Sequence, residues 1–300
     1  MAFVPLRDGA QLHVRVIGRG QPVLMLPGLG MSSATWLPFI WPQLGRYRFY
    51  LPDFRGFGRS AHLHLQGDDV FECHMRDVEE LIAHFQLRDF LLAGYSLGGT
   101  TALHLLQAGK FQGVRRYLHI DQSPCVGNRE DWRHGLFGTQ QDVLFEKMRR
   151  LAAVLAQYPQ ASHMDRLPGP ARREAATVMA EVFSRMGGRP GMEPWLRRFL
   201  LLPGVASRLL PLTRLDDAQR YLSAYSGGGH DYRDSLRQCT VPVTLFVGMR
   251  SPLYHPDGQM AIADYARDVR IVRFEKSGHV PLSDEPLKFA RELGRFLATG

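Results

Sequence analysis

The 300-residue sequence is short of several things, and each shortage narrows what the chain does. It has only three cysteines, Cys73, Cys125 and Cys239. They are odd in number and far apart, so they supply neither a disulfide framework nor a Cys-x-x-Cys metal pair. No stretch approaches the roughly 18 consecutive apolar residues of a membrane-spanning helix, and no stable membrane association is expected. The opening residues, MAFVPLRDGAQLHV, lack the basic flank and apolar core of a secretory signal, which points to a reducing, cytoplasmic setting. No block of five or six like charges occurs. Lys and Arg number 37 against 29 Asp and Glu, a net charge of +8, but the basic residues are scattered. No zinc-finger or RNP spacing accompanies them, so nucleic acid is not an expected partner. No repeat or low-complexity tract is present.

What remains is an ordinary globular composition, 45% hydrophobic and 22% charged. At roughly 100–200 residues per domain, the length allows one large domain or two small ones. Residues 11–17 alternate apolar and polar, as a half-buried strand does. Residues 23–26 (VLML) and 90–93 (FLLA) are continuous apolar runs, as in strands covered on both faces. Strand-like segments recur at 47–51, 116–120, 241–247 and 270–274. Helical spacing of apolar residues fills 70–85, 97–106 and 287–297. Such alternation predicts a mostly parallel sheet with helices on both faces. From Cys125 to about Asp234 no strand is expected. Helical patterns such as 143–155 lie there instead, punctuated by Pro and Gly at 168–170, 187–190 and 203–204. Insertions of this kind often cover a site. The apolar run 195–202 (WLRRFLLL) reads first as a buried helix, with a pocket-facing or membrane-touching face as alternatives.

Residues 94–98, Gly-Tyr-Ser-Leu-Gly, stand between an apolar strand and a helical pattern. A serine on so sharp a turn needs glycine two residues to either side, because side chains there would collide. The turn lifts the Ser96 hydroxyl to a helix N-terminus, where the helix dipole favours negative charge. A serine that merely caps the helix is the alternative. The glycine-rich loop 26–30 (LPGLG) follows the strand at 23–26. Acyl transfer needs two N–H donors for its oxyanion, and the amides of Leu29 and Leu97 are assigned to them. Asp53 and Arg55, in DFRGFGRS at 53–60, read as braces between loops. His279 follows the strand at 270–274, at the strand end where open α/β sheets build their sites.

These residues together resemble the α/β-hydrolase superfamily. GYSLGG at 94–99 resembles its nucleophile elbow, LPGLG its oxyanion loop, DFRGFGRS its D-x-R-G-x-G-x-S loop, and SGH at 277–279 its G-H dipeptide. Pro27 departs from the histidine that is frequent there. The resemblance implies an eight-stranded, mostly parallel α/β sheet flanked by helices. Residues 1–124 and 236–300 form its core, and 125–235 a helical cap.

The family's acid commonly follows the seventh strand, but Ser251 stands in that place. A hydroxyl cannot carry the charge that holds the imidazole tautomer. Asp121, in YLHIDQSP at 117–124, ends the sixth strand instead. It resembles an Asp-x-x-Pro arrangement found in some bacterial esterases and thioesterases. The triad is therefore assigned as Ser96, His279 and Asp121, with Asp257 the alternative acid. The resemblance implies a serine hydrolase cleaving an ester or thioester of a small-molecule acyl substrate through an acyl-enzyme. Lactone, amide or carbon–carbon hydrolysis, acyl transfer and perhydrolysis use the same triad, and a non-catalytic binding relative is the remaining class. No cofactor or metal is required; His119 and His255 have no companion ligand spacing. Trp132, Phe137, Trp195 and Phe199 suit an apolar acyl group, and the cap's surplus of arginines suits an anionic head such as a CoA phosphate.

Overall fold

A computed structural model describes residues 2–186, 191–204 and 214–299. Eight strands form one sheet: β1 (Ala2–Pro5), β2 (Gln11–Gly18), β3 (Gln21–Leu26), β4 (Tyr47–Pro52), β5 (Phe90–Tyr95), β6 (Val114–Ile120), β7 (Val243–Gly248) and β8 (Val269–Phe274). Their order is β1-β2-β4-β3-β5-β6-β7-β8, antiparallel through the first three and parallel from there on. Seven of these strands coincide with apolar segments of the sequence. The exception is β1, whose four residues are too few to show a period and end on a proline.

The continuous apolar strands are explained by burial on both faces. Val23 and Met25 of β3, with Leu91 and Ala93 of β5, pack under Trp36, Ile40 and the C-terminal helix Pro286–Ala298. Their neighbours Leu24, Leu26, Phe90 and Leu92 face the opposite layer, where helices α2 (Val70–His84) and α3 (Leu97–Gln107) lie. Helix α1 is the short turn Leu37–Ile40. Alternate side chains of one strand thus enter different cores.

Between β6 and β7 the chain leaves the sheet. It forms α4 (Gln141–Ala156), α5 (Gly169–Met186), α6 (Glu193–Leu200) and α7 (Leu215–Ser226). Leu151, Leu155, Ala175, Ala176, Leu215 and Ala218 give this layer a small core of its own. The punctuation at 187–190 lies outside the described residues. In α6 the expectation of a buried helix needs correction. Leu200 is buried, but Trp195 and Phe199 are 64% and 52% exposed. Two full turns give α6 only one side to pack on α5, and its aromatics fall on the other.

Two histidines are enclosed between the layers. His74 on α2 stacks on Phe54 and meets the Tyr221 hydroxyl of α7 at 2.5 Å. His119 on β6 lies between the Tyr117 hydroxyl and the Gln122 carbonyl. Burial holds His74 down to about 3. It holds His119 down to about 4, against the opposing pull of the Gln122 carbonyl and the Asp121 charge. In the unfolded chain both protonate near 6.5. Between those values the unfolded state binds more protons, so stability is complete above about pH 6.5 and drains away below it. The free energy of unfolding, followed through the denaturation midpoint, should therefore fall from pH 7 to 4.5, by on the order of 1.4 kcal/mol per pH unit per histidine once below 6.5. A midpoint that stays level over that range would contradict this.

Candidate active site

The site lies along the C-terminal ends of the parallel strands. Ser96 follows β5, Asp121 follows β6, and His279 follows β8. Because β5 and β6 are adjacent, the first two are brought close by the sheet itself, and the loop after β8 reaches back across β7.

Ser96 sits at φ 50°, ψ −114°, the strained backbone expected of a strand-to-helix elbow. The glycines are forced by contact. A Cβ on Gly94 would lie 2.5 Å from the Gly98 carbonyl oxygen, and one on Gly98 would lie 2.4 Å from that of Leu26. The serine side chain makes no capping bond to α3. Its Oγ lies 2.9 Å from His279 Nε2, and His279 Nδ1 lies 2.7 Å from Asp121 Oδ1. Asp121 is wholly buried and, like Ser96, has positive φ, 43°. Its carboxylate also accepts from Gly248 N at 2.9 Å and from Ser251 Oγ at 2.8 Å. A Cβ on Gly248 would press to 2.5 Å from Asp121 Oδ2, so the close approach depends on glycine there. Asp257, the alternative acid, is exposed and pairs with His255 instead.

Ser251 therefore has a part that the sequence did not reveal. It stands after β7, where the family commonly has an acid, and its hydroxyl donates to the Asp121 carboxylate. Tyr95 was likewise missed. Its hydroxyl donates to the His279 carbonyl at 2.9 Å, fixing the backbone that carries the imidazole. Burial, with the Asp121 and Asp284 charges nearby, raises the Tyr95 pKa well above the ordinary tyrosine value, so the hydroxyl keeps its proton. The only advance signal for Tyr95 was its place beside Ser96. Ser251 had none beyond its position after β7.

Leu29 lines the cavity beside Ser96, and Leu97 opens α3. Among the described residues neither amide donates to a backbone carbonyl. Asp53 and Arg55 stand away from this centre as braces. Asp53 accepts from Ser33 N, Arg59 N and His13 Nδ1, while Arg55 pairs with Asp77 and Asp8.

Ser96 opens into a cavity of about 850 Å³ including its mouth. The β6–β7 insertion supplies most of its wall, with Leu136, Phe137, Met148, Val178, Met179 and Phe183 among its side chains there, and none of the lining residues is charged. Of the four aromatics singled out in the sequence, only Phe137 lines it. Trp132 is buried under the Arg233 guanidinium instead. The arginine surplus of the insertion does not enter the cavity wall. His64, Asp216 and Asp217 form a group with metal-ligand spacing away from it, with Arg214 paired to Asp216. No described helix is long and apolar enough to cross a membrane.

The chain is similar over nearly its whole length to characterised proteins. It is 23% identical to the pimeloyl-[acyl-carrier protein] methyl ester esterase of Vibrio cholerae, over 95% of this chain and 97% of that one. It is 25% identical to the AB hydrolase superfamily protein YclE of Bacillus subtilis, over 97% and 96%. Among solved structures, the esterase EaEST from Exiguobacterium antarcticum superposes with a TM-score of 0.70 at 22% identity, covering 99% of each chain. The enol-lactonase of Burkholderia xenovorans does so at 0.66 and 17%, covering 99% and 100%. The family described as "Alpha/beta hydrolase family" matches residues 23–292, and with this fold the chain belongs to it.

Proposed function

We propose that the protein is a serine hydrolase that cleaves carboxylic esters with an apolar acyl group through an acyl-enzyme. The observation that carries this is the continuous hydrogen-bonded line from Ser96 through His279 to Asp121 at the mouth of an uncharged cavity. The relatives named as methyl ester esterases support an ester as the bond cleaved.

In this reading His279 Nε2 takes the Ser96 proton as Oγ attacks the acyl carbonyl. Asp121 keeps the imidazole proton on Nδ1 and steadies the imidazolium that forms. The unengaged amides of Leu29 and Leu97 receive the oxyanion, each worth about 10²–10³ in rate. The imidazolium then protonates the departing alcohol. Water, deprotonated by the same imidazole, releases the acid. Residues 125–235 serve as the cap, since they provide most of the wall around the acyl group. A CoA-like anionic head finds no cation inside the cavity, so it would have to remain outside.

A panel of p-nitrophenyl esters from acetate to dodecanoate, beside acyl-CoAs, tests the proposal. Each buried methylene contributes about 0.8 kcal/mol, so kcat/KM should climb about fourfold per carbon until the cavity is full. Uniform inactivity on esters would end the ester reading.

A further inference from the structure

Helix α6 is apolar on two sides. Leu196, Leu200 and Leu201 join the small core of the β6–β7 insertion. Met192, Trp195, Phe199 and Leu202 are instead 40%, 64%, 52% and 44% exposed. Their spacing of three, four and three residues puts them in one stripe. The helical turn runs through all four, since Leu196 N donates to the Met192 carbonyl and Leu202 N to that of Phe199. They are four of the nine large hydrophobic side chains left exposed among the described residues; the other five are scattered from Phe3 to Leu287. A lone exposed hydrophobic needs no explanation, but a stripe does.

Positive charge borders the stripe. Arg197 and Arg198 are exposed and make no ion pair among the described residues. The acids of α5 and the turn before it are engaged elsewhere, Asp165 with Arg172, Glu174 with Arg150 and Glu181 with Lys147. Glu193, at the start of α6, accepts from the Ser184 hydroxyl. Residues 187–190 and 205–213 contain no acid that could pair with the two arginines. The stripe exposes two side chains' worth of apolar surface, on the order of 400 Å². That is about half of the ~800 Å² that each partner commits to a stable protein interface. It suits a helix lying in a lipid headgroup layer, where aromatics reach the acyl boundary and arginines extend to the phosphates. We infer that α6 is a docking surface for an anionic lipid bilayer, with Met192, Trp195, Phe199 and Leu202 seated at the acyl boundary and Arg197 and Arg198 on lipid phosphates. The attachment is peripheral and reversible, as no described helix could cross the bilayer. Helix α5, on which α6 packs, also lines the cavity above Ser96, so the docked lipid lies one helix away from it. The inference stands on this surface alone and does not require Ser96 to be a nucleophile.

The test is co-sedimentation of the full chain with vesicles of phosphatidylcholine, alone or mixed with phosphatidylglycerol. Binding to the mixed vesicles should be about tenfold tighter and should weaken as salt is raised. The double variant Trp195→Ser/Phe199→Ser keeps every charge and should weaken that binding by about tenfold or more. Trp41→Ser removes an equally exposed aromatic elsewhere and should leave it unchanged. No binding by the unaltered protein overturns the inference. Binding that the double variant retains also overturns it, since the net charge of +8 would then suffice. An equal loss in Trp41→Ser overturns it as well. So does a dimer, seen by light scattering without vesicle binding, that the double variant dissolves. Should the double variant fail to fold, Trp41→Phe with acyl-brominated phosphatidylglycerol decides. Trp36 and Trp132 are buried, so quenching in that protein reports Trp195. Quenching supports the inference, and its absence overturns it. Ester cleavage enters none of these readouts, so its presence or absence bears only on the proposed function.

Discussion

Replacing Ser96 with alanine is expected to lower kcat on any ester the protein cleaves by about a million-fold and to abolish labelling by a fluorophosphonate probe. The size of the effect follows from what is removed. Among the described residues His279 Nε2 meets no other hydroxyl, and water in the vacated space would have to attack without the elbow's alignment. The substitution is also clean. The side chain caps nothing in α3, and alanine meets the same steric limits as serine at φ 50°. Among the described residues its hydroxyl is held only by the imidazole, so the melting temperature should move little. Labelling that persists in a folded Ser96→Ala protein would place the nucleophile elsewhere. Loss of labelling together with loss of the folded state would be separated from this by circular dichroism on the same sample.

The second large effect belongs to the acid. Asp121→Asn should lower kcat by about 10⁴-fold, because an amide in that place can donate to Nδ1 and favour the wrong imidazole tautomer. Size and burial barely change: with the amide NH2 toward Nδ1, the amide oxygen still accepts from Gly248 N, and the Ser251 hydroxyl turns to accept from the NH2 instead of donating. The variant therefore tests charge and tautomer rather than packing. Ser251→Ala is the companion measurement. It removes one of three hydrogen bonds to the carboxylate and leaves the charge in place, and a bond to a charged group is worth about 1.5–3 kcal/mol when fully lost. With Gly248 N and His279 still holding Asp121, a fall of about tenfold is expected. A greater loss from Ser251→Ala than from Asp121→Asn would refute the assignment of the acid.

How much of this was legible in the sequence depends on the distance over which each feature is encoded. The two-sided strands β3 and β5 announce themselves because neighbouring residues in one strand supply both cores. The elbow is legible for a similar reason. The collision that demands Gly94 is with the Gly98 carbonyl, four residues away, whereas that of Gly98 with Leu26 follows from the pairing of β3 with β5. The strand β1 was not legible, since four residues hold no period. The run at 195–202 misled because its residue types suit a core, while the single packed side of α6 leaves Trp195 and Phe199 outside.

The sequence by itself determined the fold class, the strained serine between a strand and a helix, and the candidate residues at the strand ends. All of these are written in local periodicity and local sterics. Only the tertiary structure decided which carboxylate meets the imidazole, that Ser251 steadies it, and that three tyrosines and the hydrocarbon side chains of the β6–β7 insertion enclose the space above Ser96. Those contacts join residues 130 to 183 positions apart. At such separations no periodic pattern connects the partners. Their meeting depends on the order in which strands are laid side by side and on how the insertion folds back over the sheet.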